Sequence, residues 1–113
     1  MGKINHDAMA KNTITLVYIT NKNAAEAKSI AKALLDKKLV ACANVFPISS
    51  MYRWQGKMVN DKEVVLIAKA KPGNYEKIKK VVAKMHSYSV PCIMKIDAVA
   101  NEPYYKWLMG EMK

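Results

Sequence analysis

The chain has 113 residues, 51% of them hydrophobic, which suits one domain with a buried core and excludes a disordered chain. Its formal net charge is +10, yet Arg53 is its only arginine. Because arginine favours paired recognition of phosphates and bases, we predict a solvated lysine surface and no nucleic-acid partner. No apolar run has the length of a membrane span and no signal-like leader is present, so we expect a cytoplasmic protein without a membrane partner.

The first part of the chain predicts a tail, a strand and a helix. Residues 1–12 are polar and lack periodicity, so we expect a loose N-terminal tail followed by a single domain over 13–113. Residues 13–20 form a β-branched, aromatic-containing run that is apolar on both faces at its far end, which indicates a central strand. Residues 21–23 form the turn. Apolar side chains then recur every three or four positions over 24–38, which predicts an amphipathic helix.

The stretch 41–57 is too long for an ordinary strand of a small sheet. It begins as a buried strand over 40–46, is interrupted by Pro47 and then alternates, so that Tyr52 and Trp54 share one face. A monomer would have no reason to hold two large aromatic side chains in water. We therefore expect another subunit to cover this overhanging strand.

The next residues predict a hairpin and a third strand. Residues 58–62 contain the turn, with Asn60 and Asp61 at its tip, and 63–70 return as an antiparallel strand. This third strand is apolar on both faces, although the helices of the predicted fold cover only one face. The uncovered face predicts an oligomer.

The remaining elements complete the fold. They are a helix over 75–86, a strand over 90–99 with Pro91 at its entrance, and a C-terminal helix over 104–112. The order β-α-β-β-α-β-α predicts an α+β fold, a ferredoxin-like βαββαβ sandwich with an extra C-terminal helix. The expected strand order is 4-1-3-2.

The candidate catalytic groups do not form a recognisable enzyme site. Cys42 and Cys92 open opposite edge strands of the predicted sheet, so a disulfide within one subunit is not expected. Either cysteine could pair with His86, but a lone thiol without a demonstrable base is usually structural. No carboxylate pair suggests acid–base chemistry. An RNA-recognition module would need aromatic side chains on the third strand, which has none, and the first strand offers only Tyr18. We predict that the protein is not an enzyme.

Several ordered motifs resemble the CutA1 family of divalent-cation tolerance proteins. They are Ala41–Asn44 with its cysteine, Tyr52-x-Trp54-x-Gly56, the segment 86–91 that begins with His86 and ends with Pro91, and the aromatic pair of the last helix. The resemblance covers about residues 14–112. It implies a homotrimer with a role in tolerance of divalent cations, chiefly copper.

For metal binding, the resemblance implicates His86. A borderline-soft ion such as Cu(II) would bind imidazole, with Cys42 as a further soft ligand, and no other cofactor is required. Some family members carry Cys and His where this chain has Ile19 and Met85. His86 is therefore either a weak Cu(II) ligand or a structural, hydrogen-bonded histidine.

The family's arrangement also implies clefts between subunits, like the ligand clefts of trimeric PII-like signalling proteins. The residues expected to line these clefts or the interface are Tyr52, Arg53, Trp54, Glu63, Lys69 and Tyr88. They could bind a small ligand or partner protein without any metal, or they could form an interfacial salt-bridge network. Both functions, copper response and PII-like signalling, remain open at this point.

Overall fold

The computed structural model describes residues 10–113, so the predicted tail lies almost wholly outside the described residues. Within this range the chain forms four strands and three α-helices. The strands are β1 (Thr13–Asn21), β2 (Cys42–Trp54), β3 (Lys57–Ala70) and β4 (Ile93–Val99). The helices are α1 (Ala24–Asp36), α2 (Tyr75–Met85), which follows a 3-10 turn at Pro72–Asn74, and α3 (Glu102–Gly110).

The sheet has the strand order β2-β3-β1-β4, and every pairing is antiparallel. This confirms the predicted α+β ferredoxin-like sandwich with an additional C-terminal helix. Alternate residues of the central strands, such as Val17 and Leu66, lie in the core with residues of α1 and α2, such as Leu34 and Val82. Both main helices therefore cover the same face of the sheet.

Local chemistry at the start of α1 explains where the helix begins. The side chain of Asn23 caps the helix by accepting a hydrogen bond from the Glu26 backbone N–H at 2.9 Å. The Glu26 carboxylate reaches back to the Lys22 N–H at 3.1 Å, which is a reciprocal arrangement close to a capping box. The helix ends at Asp36, two residues before the predicted end, because Lys38 adopts a left-handed conformation with φ 57°.

The predicted hairpin turn at Asn60 and Asp61 is wrong. The chain reverses at Gln55 and Gly56, which both have positive φ angles, 51° and 79°. Trp54 pairs directly with Lys57, and both residues of the predicted turn lie inside β3. Two consecutive positive φ values are typical of a type I′ turn, whose twist matches the flanking strands. Gln in the first position is unusual for such a turn, so the local sequence pattern does not indicate a turn here.

The β2–β3 hairpin extends far beyond the rest of the sheet. The pairing of β1 with β3 stops at Asn21 and Val64, so residues 48–63 project as a two-stranded ribbon, which we call the arm. Pro47 does not interrupt β2, because β2 is an edge strand and can leave a backbone position without an N–H. The overhang that the sequence predicted is therefore a hairpin arm of two strands.

The second face of the sheet is not covered by α1 or α2. The register places Tyr18 opposite Ile67 and Met94, on the face that alternates with the core residues. Phe46 is 39% exposed and Ile96 is 50% exposed. The described part of the chain thus leaves a largely apolar sheet face available to a further subunit.

Candidate functional site

An open cavity of about 380 Å³ lies between the arm and the loop that leads from α2 into β4. The arm and the adjoining part of β3 contribute aromatic and acidic side chains, and the loop contributes a tyrosine, a thiol and small residues. The lining residues are Thr20, Tyr52, Trp54, Asp61, Glu63, Tyr88, Ser89, Val90 and Cys92. The volume is within the range of roughly 300–1,000 Å³ that is usual for small-molecule sites.

The alternation of side chains along the arm explains why its contributors converge. Tyr52 pairs with Val59, and Ser50 pairs with Asp61, so residues two apart on either strand point to one face. On this face the Tyr52 hydroxyl donates a hydrogen bond of 3.3 Å to the carboxylate of Asp61. Burial and the Asp61 charge raise the pKa of Tyr52. The arm therefore presents phenol, indole and carboxylate groups together.

Glu63 is the most deeply placed charged group of the cavity. The residue is only 8% exposed, and its Oε2 accepts a 2.8 Å hydrogen bond from the Tyr88 hydroxyl. Burial, followed by this bond to Glu63, raises the pKa of Tyr88 far above its ordinary value. Burial and the charge of Glu63 also raise the pKa of the Cys92 thiol. Both neighbours of the carboxylate are thus held in their neutral, protonated forms.

The side chain of His86 is fully buried behind this cavity, and both of its ring nitrogens are engaged. Nε2 lies 2.6 Å from the carbonyl oxygen of Thr20, and Nδ1 accepts a 3.1 Å hydrogen bond from the Tyr88 N–H. Because a carbonyl can only accept, Nε2 carries the proton and Nδ1 uses its lone pair on Tyr88. The ring also packs against Tyr88, with centroids 4.7 Å apart. The geometry favours the structural role and leaves no lone pair for a metal in this conformation.

Glu26 ties the loop after α2 to the start of α1. Its carboxylate accepts a 3.0 Å hydrogen bond from the Ser87 N–H, in addition to the bond from Lys22. Burial opposes ionisation of Glu26, but the bonds from Ser87 and Lys22 outweigh burial and hold its pKa below the ordinary value. This contact, together with His86, fixes the loop that carries Tyr88.

The structure brings together four of the six predicted cleft residues and leaves two outside the cavity. Arg53 lies on the opposite face of the arm from Tyr52. Lys69 lies near the far end of β3, where its ammonium contacts the hydroxyl of Tyr104 at 3.3 Å and the Tyr104 ring at 5.3 Å. Cys42, the predicted soft ligand, pairs with Lys69 in the sheet and is equally remote.

The predicted metal ligands are not clustered. Within residues 10–113, no group of three His, Cys, Asp or Glu side chains is arranged to hold a metal ion. Cys42 opens β2 at one edge of the sheet, and Cys92 precedes β4 at the other. Both cysteines are free thiols. Ile19 is buried in the core, and Met85 is exposed at the end of α2.

Sequence reasoning missed five lining residues of the cavity. They are Thr20, Asp61, Ser89, Val90 and Cys92. The period-2 pattern of the arm could have located Asp61, but only with the hairpin turn in its correct place. The others come from the end of β1 and from the loop, which carry no periodic signal.

A second cavity of about 540 Å³ lies on the other side of the arm base. Lys22 and Lys62 line it together with Asn23 at the start of α1, and Glu63 borders it as well. At the start of α1, the backbone N–H groups of Lys22 and Glu26 already donate hydrogen bonds to the side chains of Glu26 and Asn23.

None of the helices in the described range has the length and hydropathy needed to cross a bilayer.

The chain is similar to a well-defined group of known proteins. The family model described as "CutA1 divalent ion tolerance protein" matches residues 15–111. A "Divalent-cation tolerance protein CutA" from Pyrococcus horikoshii is 39% identical over 99 residues, which cover 87% of this chain and 97% of the relative. One from Thermus thermophilus is 40% identical over 95 residues, covering 82% and 92% of the two chains.

The similarity extends to solved structures. The structure of the "Periplasmic divalent cation tolerance protein CutA" from Archaeoglobus fulgidus superimposes with a TM-score of 0.86 at 36% identity. The superposition covers 88% of this chain and 99% of the other.

Proposed function

This chain belongs to the CutA1 divalent ion tolerance family, and on that premise we propose that it acts in the tolerance of divalent cations, chiefly copper, without being an enzyme. In this proposal it works as a PII-like module that binds a small ligand in the cavity beside the arm. The observation that carries the proposal is the convergence of Tyr52, Trp54, Glu63 and Tyr88 on one cavity. Hydrogen bonds of His86 to Thr20 and of Ser87 to Glu26 fix the loop that carries Tyr88, as expected for a preformed binding site.

We propose that the working form is a homotrimer. The apolar sheet face opposite α1 and α2 and the exposed aromatic side chains of the arm both need cover. Trp54 is 47% exposed in the single chain, and packing of the arm on a neighbouring subunit would bury it. The cavity would then become a cleft between subunits, closed on its open side by the neighbour.

Direct, weak Cu(II) binding is a second candidate for the same cavity. The Cys92 thiol and the Glu63 carboxylate both line it, and thiolate with carboxylate oxygen is a plausible donor set for copper. The raised pKa of Cys92, due to burial and then to Glu63, opposes formation of the thiolate. This candidate therefore requires the metal itself to displace the thiol proton.

We further propose a cytoplasmic location and no nucleic-acid partner. The free thiols of Cys42 and Cys92 suit a reducing compartment, and the lysine-dominated charge suits a solvated surface. The similar protein from Archaeoglobus fulgidus is described as periplasmic, so cell fractionation with an antibody against this chain is the direct test.

Copper sensitivity of cells tests the proposed function. Deletion of the gene should increase sensitivity to Cu(II), and expression of the wild-type chain should restore growth. Glu63→Gln should fail to restore it, because it removes the buried carboxylate of the cavity. Glu76→Gln, which removes an exposed carboxylate of α2, should restore growth fully. Unchanged copper sensitivity on deletion would contradict the proposed role.

Purified protein separates the two candidates. Native mass spectrometry should show a trimer that retains a small organic ligand, with less retained by Glu63→Gln. Saturable Cu(II) binding that is lost in both Cys92→Ser and Glu63→Gln would instead establish the direct metal site.

A further inference from the structure

The cavity beside the arm has an electrostatic character opposite to that of the whole chain. The formal net charge of the chain is +10, yet the charged residues that line this cavity are Asp61 and Glu63, and no lysine, arginine or histidine is among its lining residues. The two carboxylates lie two positions apart on β3, hence on the same face of the strand. The site therefore favours a positively charged ligand.

One carboxylate oxygen of the cavity is free to receive that charge. Oε2 of Glu63 is bonded to Tyr88, whereas Oε1 has no hydrogen-bond or ion-pair partner among residues 10–113. The only fully buried side-chain polar atom without a partner in that range is Asn21 Oδ1. Glu63 lines the cavity, although the residue as a whole is more than nine-tenths buried.

Three aromatic rings border the same space. Tyr52 and Trp54 come from the arm, and Tyr88 comes from the loop on the other side. Tyr52 is 39% exposed, so ring surface is available beside the carboxylates. The negative faces of aromatic rings attract organic cations, and rings combined with carboxylates are a recurring way to bind alkylated ammonium groups.

We propose that this cavity binds a small organic cation, an alkylammonium group seated against Tyr52, Trp54 and Tyr88 and paired with Glu63. The inference rests on the proposed function and names the ligand class of its binding site. Asp61 supplies a second negative charge at the rim, and the phenols of Tyr52 and Tyr88 are oriented by the two carboxylates.

A bare metal ion fits this arrangement less well. Hard divalent ions need several oxygen ligands in place of water, but four of the nine lining residues are aromatic or aliphatic, including Trp54 and Val90. An alkylammonium group is weakly hydrated and gains from both the rings and the carboxylates. The lysines of a neighbouring copy are the competing occupants, since one ammonium group could pair with Glu63 across an interface.

Calorimetric titration of the full-length protein tests the proposal. Choline chloride is the probe, and 3,3-dimethylbutan-1-ol, which has the same shape without the charge, is the matched control ligand; ionic strength is kept constant. Choline should bind at least about tenfold more tightly than the neutral alcohol, because only choline gains the cation–π and ionic contacts. A change in tryptophan fluorescence should accompany binding.

Variants locate the binding. Glu63→Gln and, independently, the exposed rim variant Asp61→Asn should each weaken choline binding, Glu63→Gln by about tenfold or more. Glu76→Gln changes the net charge equally but lies outside the cavity, and should leave the affinity within about twofold. Asp61→Asn keeps the test decisive if Glu63→Gln does not fold.

The outcomes are distinct from those of the function test. Equal binding of choline and the alcohol, or no effect of either cavity variant, would overturn the organic-cation proposal. Absence of choline binding by the intact oligomer would overturn it too, and would indicate that lysines of a neighbouring copy occupy the carboxylates. Copper sensitivity of the deletion strain depends on neither result, so the proposed function would stand or fall separately.

Discussion

The hydroxyl of Tyr88 donates a 2.8 Å hydrogen bond to Oε2 of Glu63, and so joins the loop after α2 to the base of the arm. This bond spans the cavity wall and connects two parts of the chain that have no backbone pairing with each other. The carboxylate stays buried and oriented because of it.

Tyr88 should make the protein sensitive to alkaline pH. Burial and the bond to Glu63 raise the pKa of Tyr88 above its ordinary value of 10.0, so the native state keeps a proton that the unfolded chain loses. The contribution to stability is complete below pH 10.0 and is lost as the pH rises toward the native pKa. Denaturant titrations from pH 9 to 11 should show that the free energy of unfolding falls more steeply with pH in wild type than in Tyr88→Phe. Parallel curves would contradict this linkage.

Glu26 should have the opposite effect at acidic pH. Burial opposes its ionisation, but hydrogen bonds from Ser87 and Lys22 prevail and place its native pKa below the ordinary value of 4.5. The unfolded state therefore binds the proton first. The stabilisation is present above pH 4.5 and is lost as the pH falls through the lower native pKa. Glu26→Gln should flatten the acid limb of a stability–pH curve, and an unchanged limb would exclude this role.

His86 should matter for stability and not for copper binding. His86→Ala removes the hydrogen bonds to Thr20 and Tyr88 and leaves a cavity, so we expect a loss of roughly 2–4 kcal/mol in the free energy of unfolding. His86→Gln, whose amide can still donate to the Thr20 carbonyl, should recover part of it. Calorimetric Cu(II) titrations of wild type and both variants should agree, with affinity no better than micromolar. If the heat of Cu(II) binding differed between wild type and the His86 variants, His86 would be a metal ligand.

Trp54 should anchor the proposed trimer. Trp54→Ala should lower the melting temperature strongly, because truncating a buried interfacial aromatic costs roughly 3–5 kcal/mol. The melting temperature of the wild type should also rise with protein concentration, since assembly and folding are linked. Leu35→Ala is a matched control, because Leu35 is 41% exposed on α1, away from the arm. Light scattering that gives a monomer mass would exclude the assembly.

A substitution at the turn of the arm should increase the stability of the protein. Gln55 and Gly56 both have positive φ angles, and Asn tolerates that conformation better than Gln. Gln55→Asn should therefore stabilise the arm by roughly 0.5 kcal/mol, whereas Gly56→Ala should destabilise it. Denaturant unfolding of the two variants shows whether each substitution raises or lowers the free energy of unfolding. If Gln55→Asn is the less stable protein, the proposed type I′ geometry is wrong.

The sequence alone was sufficient to predict the elements and their order. Apolar residues at spacings of three and four determine which face of α1 and α2 is buried, and Asn23 marks the helix start. The β-α-β order with right-handed crossovers leaves few arrangements of four strands, and the sheet order follows from it. These signals are local, so they can be read without knowing which distant residues meet.

The sequence also named part of the cavity, through the resemblance to the CutA1 family. Tyr52, Trp54, Glu63 and Tyr88 do meet there. Arg53 does not, because alternation along the arm sends its side chain to the other face, and Lys69 is separated from the cavity along β3. The position of the turn at Gln55–Gly56 determines how the two strands of the arm pair. Because the sequence predicts the turn at Asn60 and Asp61, it does not predict Asp61 as a lining residue of the cavity.

Only the tertiary structure shows which groups surround His86 and Cys92. Whether a histidine can bind a metal depends on whether its nitrogens are already bonded, and the partner of Nε2 is the carbonyl of Thr20, 66 positions away in the chain. Cys92 joins Glu63 only because β4 returns beside β1 at the sheet edge. Hydrogen-bond partners and cavity walls are set by long-range packing, and no periodic pattern within a single segment encodes them.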